Sequence, residues 1–431
     1  MIHIAGTVIL GAGIAGISAA YHLQKIDHNA VIYEAKSNWG GLLDNFTVDG
    51  FRFDQGVHLS FTKEPYVRSF FDQVSYYSYN PQPYCFSETL WLKHPVQNNL
   101  YPLPIQVKVD AIKSFVDRPV FAEPCSYYQW MLTQDGSYLA GKYLARYADK
   151  YWATSPKNMT TQWIGNRMYQ PTLDEVLHGA MSSDTENVYY AGEMRYPQKG
   201  GYRAFIEPMA GNVSIKLNMK AVRINTEKQF VEFENGERVY YDNLISSIPL
   251  PELVSIIDEA PILVKNAAAG LNATSCCLVS LGFKNKVVTD KFWFYIYGDR
   301  WLPSRAYAPH MKSKHNVPAG CSSLQFEIYY SRHRPFKNSK EQIMENIIMF
   351  LEDAGLSSED ILTTTDIRTI PYANVIFEHG MTGKREIVRN YISEKSIYSI
   401  GRFGEWDYLW SDQSLLSGSN VSAIIKQKLQ G

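Results

Sequence analysis

Residues 7–34 read as strand, glycine turn, helix, strand and acid, and no other stretch limits the possible folds as tightly. Thr7 to Leu10 is a short apolar run that stops at Gly11. Ile14 to Leu23 carries helical periodicity, and Ala30 to Tyr33 is a second apolar run. Between the first strand and the helix lies Gly11-Ala12-Gly13-Ile14-Ala15-Gly16, a GxGxxG turn. Gly11 permits the tight turn, Gly13 lets a pyrophosphate approach the backbone, and Gly16 lets helix and strand pack closely. The helix N-terminus then presents free N–H groups to phosphate. Glu34 closes the second strand, where a carboxylate accepts hydrogen bonds from ribose hydroxyls. No arginine for a 2′-phosphate follows it, which argues against NADP in this pocket. The expected fold is α/β: a Rossmann-type dinucleotide-binding domain with an interleaved mixed α+β substrate domain.

Other local signals fill in the frame. Val222–Ile224, Phe230–Phe233 and Arg238–Tyr241 read as short strands, the last two joined by Asn235-Gly236, a pair suited to a tight hairpin. Cys276–Phe283 and Ser323–Tyr329 read as buried strands of a second sheet. Thr172 with Glu175, and Ser339 with Gln342, have the spacing of capping boxes. After Ser339, Ile343, Ile347, Phe350, Leu351 and Ala354 share one helical face. Five sparse cysteines with no CxxC pair predict reduced thiols, a cytoplasmic setting and no metal site. A formal net charge of -1 offers no general attraction to nucleic acid. A membrane span is not expected, since no run of about 18 apolar residues occurs. A signal peptide is not expected either, because the glycine turn needs the strand before it.

Three further segments distinguish among dinucleotides by resemblance. Trp39-Gly40-Gly41-Leu42, Gly50-Phe51-Arg52-Phe53-Asp54-Gln55-Gly56-Val57-His58 and Arg195-Tyr196-Pro197-Gln198-Lys199-Gly200-Gly201-Tyr202 resemble the FAD fingerprints of the amine oxidase and UDP-galactopyranose mutase superfamily. Four others resemble the mutase branch of it: His94-Pro95-Val96-Gln97-Asn98-Asn99, Trp163-Ile164-Gly165-Asn166-Arg167, Trp293-Phe294-Tyr295 with Arg305 downstream, and Gly401-Arg402-Phe403-Gly404-Glu405-Trp406-Asp407-Tyr408. The chain departs from that pattern at Leu409-Trp410-Ser411-Asp412-Gln413-Ser414 and at residues 59–64, each of which lacks a family histidine.

The resemblance implies FAD held by Gly11, Gly13, Ala15, Gly16, Glu34, Gly40, Gly41, Leu42, Val222, Gly401, Arg402, Asp412, Gln413 and Ser414. It implies a nucleotide-sugar substrate read by Gln97, Asn98, Asn99, Trp163 and Trp293. It gives catalytic positions to His58, Arg167, Arg305, Arg402, Tyr295 and Tyr408. Arginine's planar fork suits the diphosphate of such a substrate. The expected activity is a redox-neutral rearrangement by the reduced flavin, serving surface polysaccharide synthesis, with NAD(P)H as a possible reductant. An oxidase or desaturase of the amine oxidase or protoporphyrinogen oxidase type is the alternative. Segments 1–65, 195–260 and 385–431 are expected to bind FAD, and 66–194 with 261–384 to bind substrate.

Overall fold

A computed structural model describes residues 2–3, 6–165, 167–188, 192–356 and 361–430. Asn166 of the tryptophan-to-arginine segment lies outside them. A five-stranded parallel sheet forms from strands in the order Ser214–Lys216, Ala30–Tyr33, Thr7–Leu10, Asn243–Ser246 and Ile397–Ser399. Helix Ile14–Gln24 covers one face and packs on the C-terminal helix Ser411–Gln430. The two helices touch closely at Gly418, where a Cβ would stand 2.2 Å from the Ala15 carbonyl. Parallel strands buried on both faces read as continuous apolar runs, which is what Val8, Ile9, Leu10 and Val31, Ile32, Tyr33 show.

A second sheet has seven strands, in the order Leu362–Val375, Ala273–Phe283, Ser322–Tyr330, Arg305–Tyr307, Trp293–Ile296, Tyr84–Ser87 and Leu90–Lys93. Helix Lys340–Asp353 packs on it through Ile343, Ile347, Phe350 and Leu351. Both capping boxes are present. The strand expected at Cys276–Phe283 begins three residues earlier, and the one at Ser323–Tyr329 gains a residue at each end. The hairpin around Asn235-Gly236 belongs to a small sheet of strands Ile2–His3, Arg238–Tyr240, Phe230–Phe233 and Ala221–Asn225.

Residues 202–210 form a 3₁₀ turn, Tyr202–Ile206, followed by a short helix, Glu207–Ala210. Pro208 explains the break: it has no N–H to donate and is tolerated only in a helix's first turn. Among the described residues the cysteines are free, no helix is long and apolar enough to cross a membrane, and no cluster suited to a metal is found.

Candidate functional site

The glycine turn meets the Gly40-Gly41 loop directly. Gly13 bridges Gly40, and the Gly40 N–H donates to the Ala12 carbonyl at 2.8 Å. The three glycines of the turn have different constraints. Gly11 needs its positive φ of 96°. A Cβ on Gly16 would lie 2.1 Å from the Gly11 carbonyl oxygen, so Gly16 serves helix packing. A Cβ on Gly13 would meet nothing nearer than Gly41 Cα at 4.0 Å. Gly13 therefore keeps open a space at the helix N-terminus, beside N–H groups that have no intrahelical partner. That cradle, with a buried acid beside it, fits a dinucleotide.

Glu34 ties this loop together. One carboxylate oxygen accepts the Ala12 N–H at 2.7 Å and the other the Lys36 N–H at 2.9 Å. The Met219 N–H donates to the Glu34 carbonyl at 2.8 Å, so the chain around 216–219 runs along this end of the cradle. Val222 follows at a register shift in the small sheet and is exposed. At the other end, a Cβ on Gly401 would stand 2.7 Å from that of Ala15. The Gly401 N–H donates to Ser417 Oγ at 2.9 Å, which anchors the 401–414 stretch to the C-terminal helix. Within that stretch the Gln413 side chain accepts the Trp410 N–H, and the Ser414 N–H donates to the Trp410 carbonyl, both at 2.9 Å. Asp412 stands in the first turn of the helix. Leu42 is half-buried beside the cluster of Cys276, Leu278 and Tyr329.

His58 stacks on Tyr202, with ring centroids 5.2 Å apart, and Tyr202 shares a hydrogen bond with Ser411 at 2.9 Å. Arg167 and Arg402 converge on the ring of Tyr408, at 5.0 and 4.6 Å. Arg167 donates to the carbonyls of Trp163 and Tyr408, at 3.1 and 3.0 Å. Arg402 donates to the Leu409 carbonyl at 3.1 Å and to Asn374 Oδ1 at 2.7 Å. Among the described residues every hydrogen bond of these two guanidiniums goes to a neutral oxygen. The Nε of each is buried with no partner.

Arg305 differs. It bonds Glu327 at 2.6 to 2.7 Å, so its charge is already balanced by a carboxylate that is 1% exposed. Arg305 also lies 5.6 Å from the Tyr151 ring, and the Tyr151 hydroxyl reaches Asn374 at 3.5 Å, which links it to Arg402.

The remaining sequence candidates sit deeper. Trp163 is core, donating to the Thr160 carbonyl and packing on Tyr127 and Trp152. Trp293 and Tyr295 lie buried in strand Trp293–Ile296, with Tyr295 4.4 Å from the His94 ring. Gln97, Asn98 and Asn99 are also buried. Asn99 is held by the Pro95 carbonyl, Asn98 and Thr185, whereas Gln97 Oε1 has no partner. Beside Gln97 stands Asp135, 1% exposed. Burial pushes its carboxyl up to about 7, against smaller lowering by the Gln97 amide and Arg118.

Two parts of the site were missed in the sequence. Tyr143 and Tyr147, four residues apart, face Tyr295 and Tyr297. Their spacing was a visible signal. Glu327 was not distinguishable in a run of strand residues.

The comparisons with known proteins agree with this architecture. Residues 9–74 match the NAD(P)-binding Rossmann-like domain, and residues 132–342 match the flavin containing amine oxidoreductase family. A chloroplastic/chromoplastic 15-cis-phytoene desaturase from Glycine max is 35% identical over 68 residues, 16% of this chain and 12% of that protein. The match thus spans only about an eighth of that relative's length. A reduced UDP-galactopyranose mutase superposes with a TM-score of 0.92 at 24% identity, covering 98% of this chain and 96% of its own. A putrescine oxidase bound to putrescine superposes with a TM-score of 0.67 at 14% identity, covering 98% and 99%. In fold, the chain resembles the UDP-galactopyranose mutase branch of the flavin containing amine oxidoreductases.

Proposed function

We propose that the chain is an FAD-dependent flavoenzyme that rearranges a nucleotide sugar without net oxidation, in the service of surface polysaccharide synthesis. The observation that carries this reading is the convergence of Arg167 and Arg402 on Tyr408 with no carboxylate among the described residues to balance them. Two such cations, half-buried and bonded only to neutral oxygens among the described residues, suit a diphosphate. An amine substrate has no use for them.

The cradle of Gly11, Gly13, Gly16, Glu34, Gly40 and Gly41 would hold the FAD pyrophosphate and ribose, with Gly401 closing it against Ala15. Segments 1–65, 195–260 and 385–431 would form the FAD-binding part, and 66–194 with 261–384 the substrate-binding part. Reduced flavin supplies a nucleophilic ring nitrogen able to attack an anomeric carbon. The protein's own task is position and charge. Arg167 and Arg402 would hold the departing diphosphate and stabilise its growing negative charge. Tyr408, between them, presents its face to both and would orient the phosphates. Arg305, tied to Glu327, would shape the wall opposite. Gln97 would read the base, since a planar amide offers both a donor and an acceptor.

The match to the flavin containing amine oxidoreductases supports a second reading, an oxidase or desaturase. Product formed per reductant consumed separates the two. Measured anaerobically across uridine and thymidine diphosphate sugars, with dithionite or NAD(P)H as reductant, a mutase gives a ratio far above one. Oxygen-dependent turnover of an amine or porphyrinogen, with no action on any nucleotide sugar, overturns the mutase reading.

A further inference from the structure

Beneath His58 lies an ion pair that none of the chemistry above uses. Asp54 and Lys312 are 0% and 1% exposed, with Nζ 2.6 Å from Oδ2. The same Oδ2 accepts the Tyr196 hydroxyl at 2.8 Å, and Oδ1 accepts the Tyr202 N–H at 3.0 Å. The ammonium sits 4.5 and 4.3 Å from the rings of Tyr196 and Tyr307. Tyr79 fixes the lysine's backbone by donating to its carbonyl at 2.8 Å. A buried ion pair is costly to desolvate, so its retention points to a role beyond stability.

Tyr202 connects this pair to His58. Its N–H binds Asp54 while its ring carries the imidazole. His58 Nδ1 lies 3.1 Å from the Gly56 carbonyl. A carbonyl only accepts, so Nδ1 carries a proton and Nε2 is left as the acceptor of a neutral ring. The charged groups around the imidazole are Asp54, Lys312 and Glu327, and Glu327 is paired with Arg305. Two carboxylates and two cations balance, and a charged imidazole would be a third cation.

We propose that Lys312 is a positioning residue, whose ammonium neutralises Asp54 and thereby holds His58 as a neutral, Nδ1-protonated imidazole. Burial agrees with this, pushing His58 down to about 4, with the pull of Asp54 opposed by Lys312. Without the ammonium, Asp54 is an uncompensated buried carboxylate, and His58 is the nearby base able to take up the missing charge. The consequence for the cofactor rests on the function proposed above and on the catalytic position that the resemblance gives His58: an imidazolium close to the ring would favour a negatively charged reduced flavin and raise its potential.

The test is a pH titration of the imidazole by NMR on ¹⁵N-histidine-labelled protein with its flavin, His58 being assigned by the signal lost in His58→Gln. The wild-type ring stays neutral from pH 8 down to 6. In Lys312→Met its midpoint rises by about two pH units or more, and the flavin potential rises at pH 6. In Asp54→Asn/Lys312→Met, both return to the wild-type pattern. A wild-type His58 already cationic at pH 6 overturns the proposal without recourse to any variant. So does a folded Lys312→Met protein whose His58 titrates as in wild type. The titration can be read whatever substrate the enzyme takes, so its failure is distinct from failure of the mutase reading.

Discussion

Replacing Asp135 by Asn removes a carboxylate that is almost fully buried. In the folded chain burial pushes its carboxyl from the ordinary aspartate range up to about 7. The folded state therefore holds a proton that the unfolded state releases. Stability from this group is fully present below the unfolded pKa and is lost as pH rises to about 7. At about 1.4 kcal/mol per pH unit, the loss amounts to about 4 kcal/mol by pH 8. Asn cannot ionise and escapes it. Unfolding of a chain this long carries an entropy near ~0.9 kcal/mol per degree, so Asp135→Asn should raise Tm by about 4 °C at pH 8 and change it little near pH 4. Differential scanning calorimetry across that range is the assay. Parallel Tm–pH curves for the two proteins, or a lower Tm for Asn at pH 8, would refute the argument. Nucleotide affinity is a separate readout, because Asp135 adjoins Gln97.

The two glycine positions should fail differently. Gly13→Val should fold yet purify without flavin absorbance, whereas Gly16→Val, with its Cβ against the Gly11 carbonyl, should not accumulate as soluble protein. Arg167→Ala and Arg402→Ala should each weaken UDP binding by about 1.5–3 kcal/mol in calorimetry while leaving uridine binding unchanged; equal losses for both ligands would remove the diphosphate clamp. Arg305→Ala should destabilise the fold by about 3–5 kcal/mol in denaturant titrations, because it strands Glu327. Arg305→Ala/Glu327→Gln should recover most of that, and no recovery would mean the pair is not what the arginine supports.

The Rossmann frame was legible because its rules are local. Strand Thr7–Leu10, helix Ile14–Gln24 and the sheet neighbour Ala30–Tyr33 follow from periodicity and three glycines, and the capping boxes at Thr172 and Ser339 from spacing alone. Strand ends were less legible, since Ala273 and Tyr330 owe their inclusion to pairing partners elsewhere in the chain. Arg167 and Arg402 could be nominated singly, but their meeting at Tyr408 depends on segments more than two hundred residues apart. Arg305 shows the converse: its residue type suggested a free phosphate ligand, and only the fold reveals Glu327 as its partner. The Asp54–Lys312 pair spans 258 positions, and nothing local to either residue marks it.

The order of strands in the parallel sheet governs how the protein can be made. Thr7–Leu10 is paired early with Ala30–Tyr33, but its other neighbour, Asn243–Ser246, is itself flanked by Ile397–Ser399. At ~5–20 residues per second, a ribosome needs ~20–80 s to deliver that last strand after the first. The helix that packs against Ile14–Gln24 emerges later still. Until then the apolar faces of Val8, Ile9, Ile17 and Leu23 lack part of their cover. The nascent chain is thus committed to a long interval with its glycine cradle unfinished, in which chaperone binding is expected and flavin capture is not. A chain shortened ahead of residue 397 should give aggregated protein, not a small flavin-binding fragment.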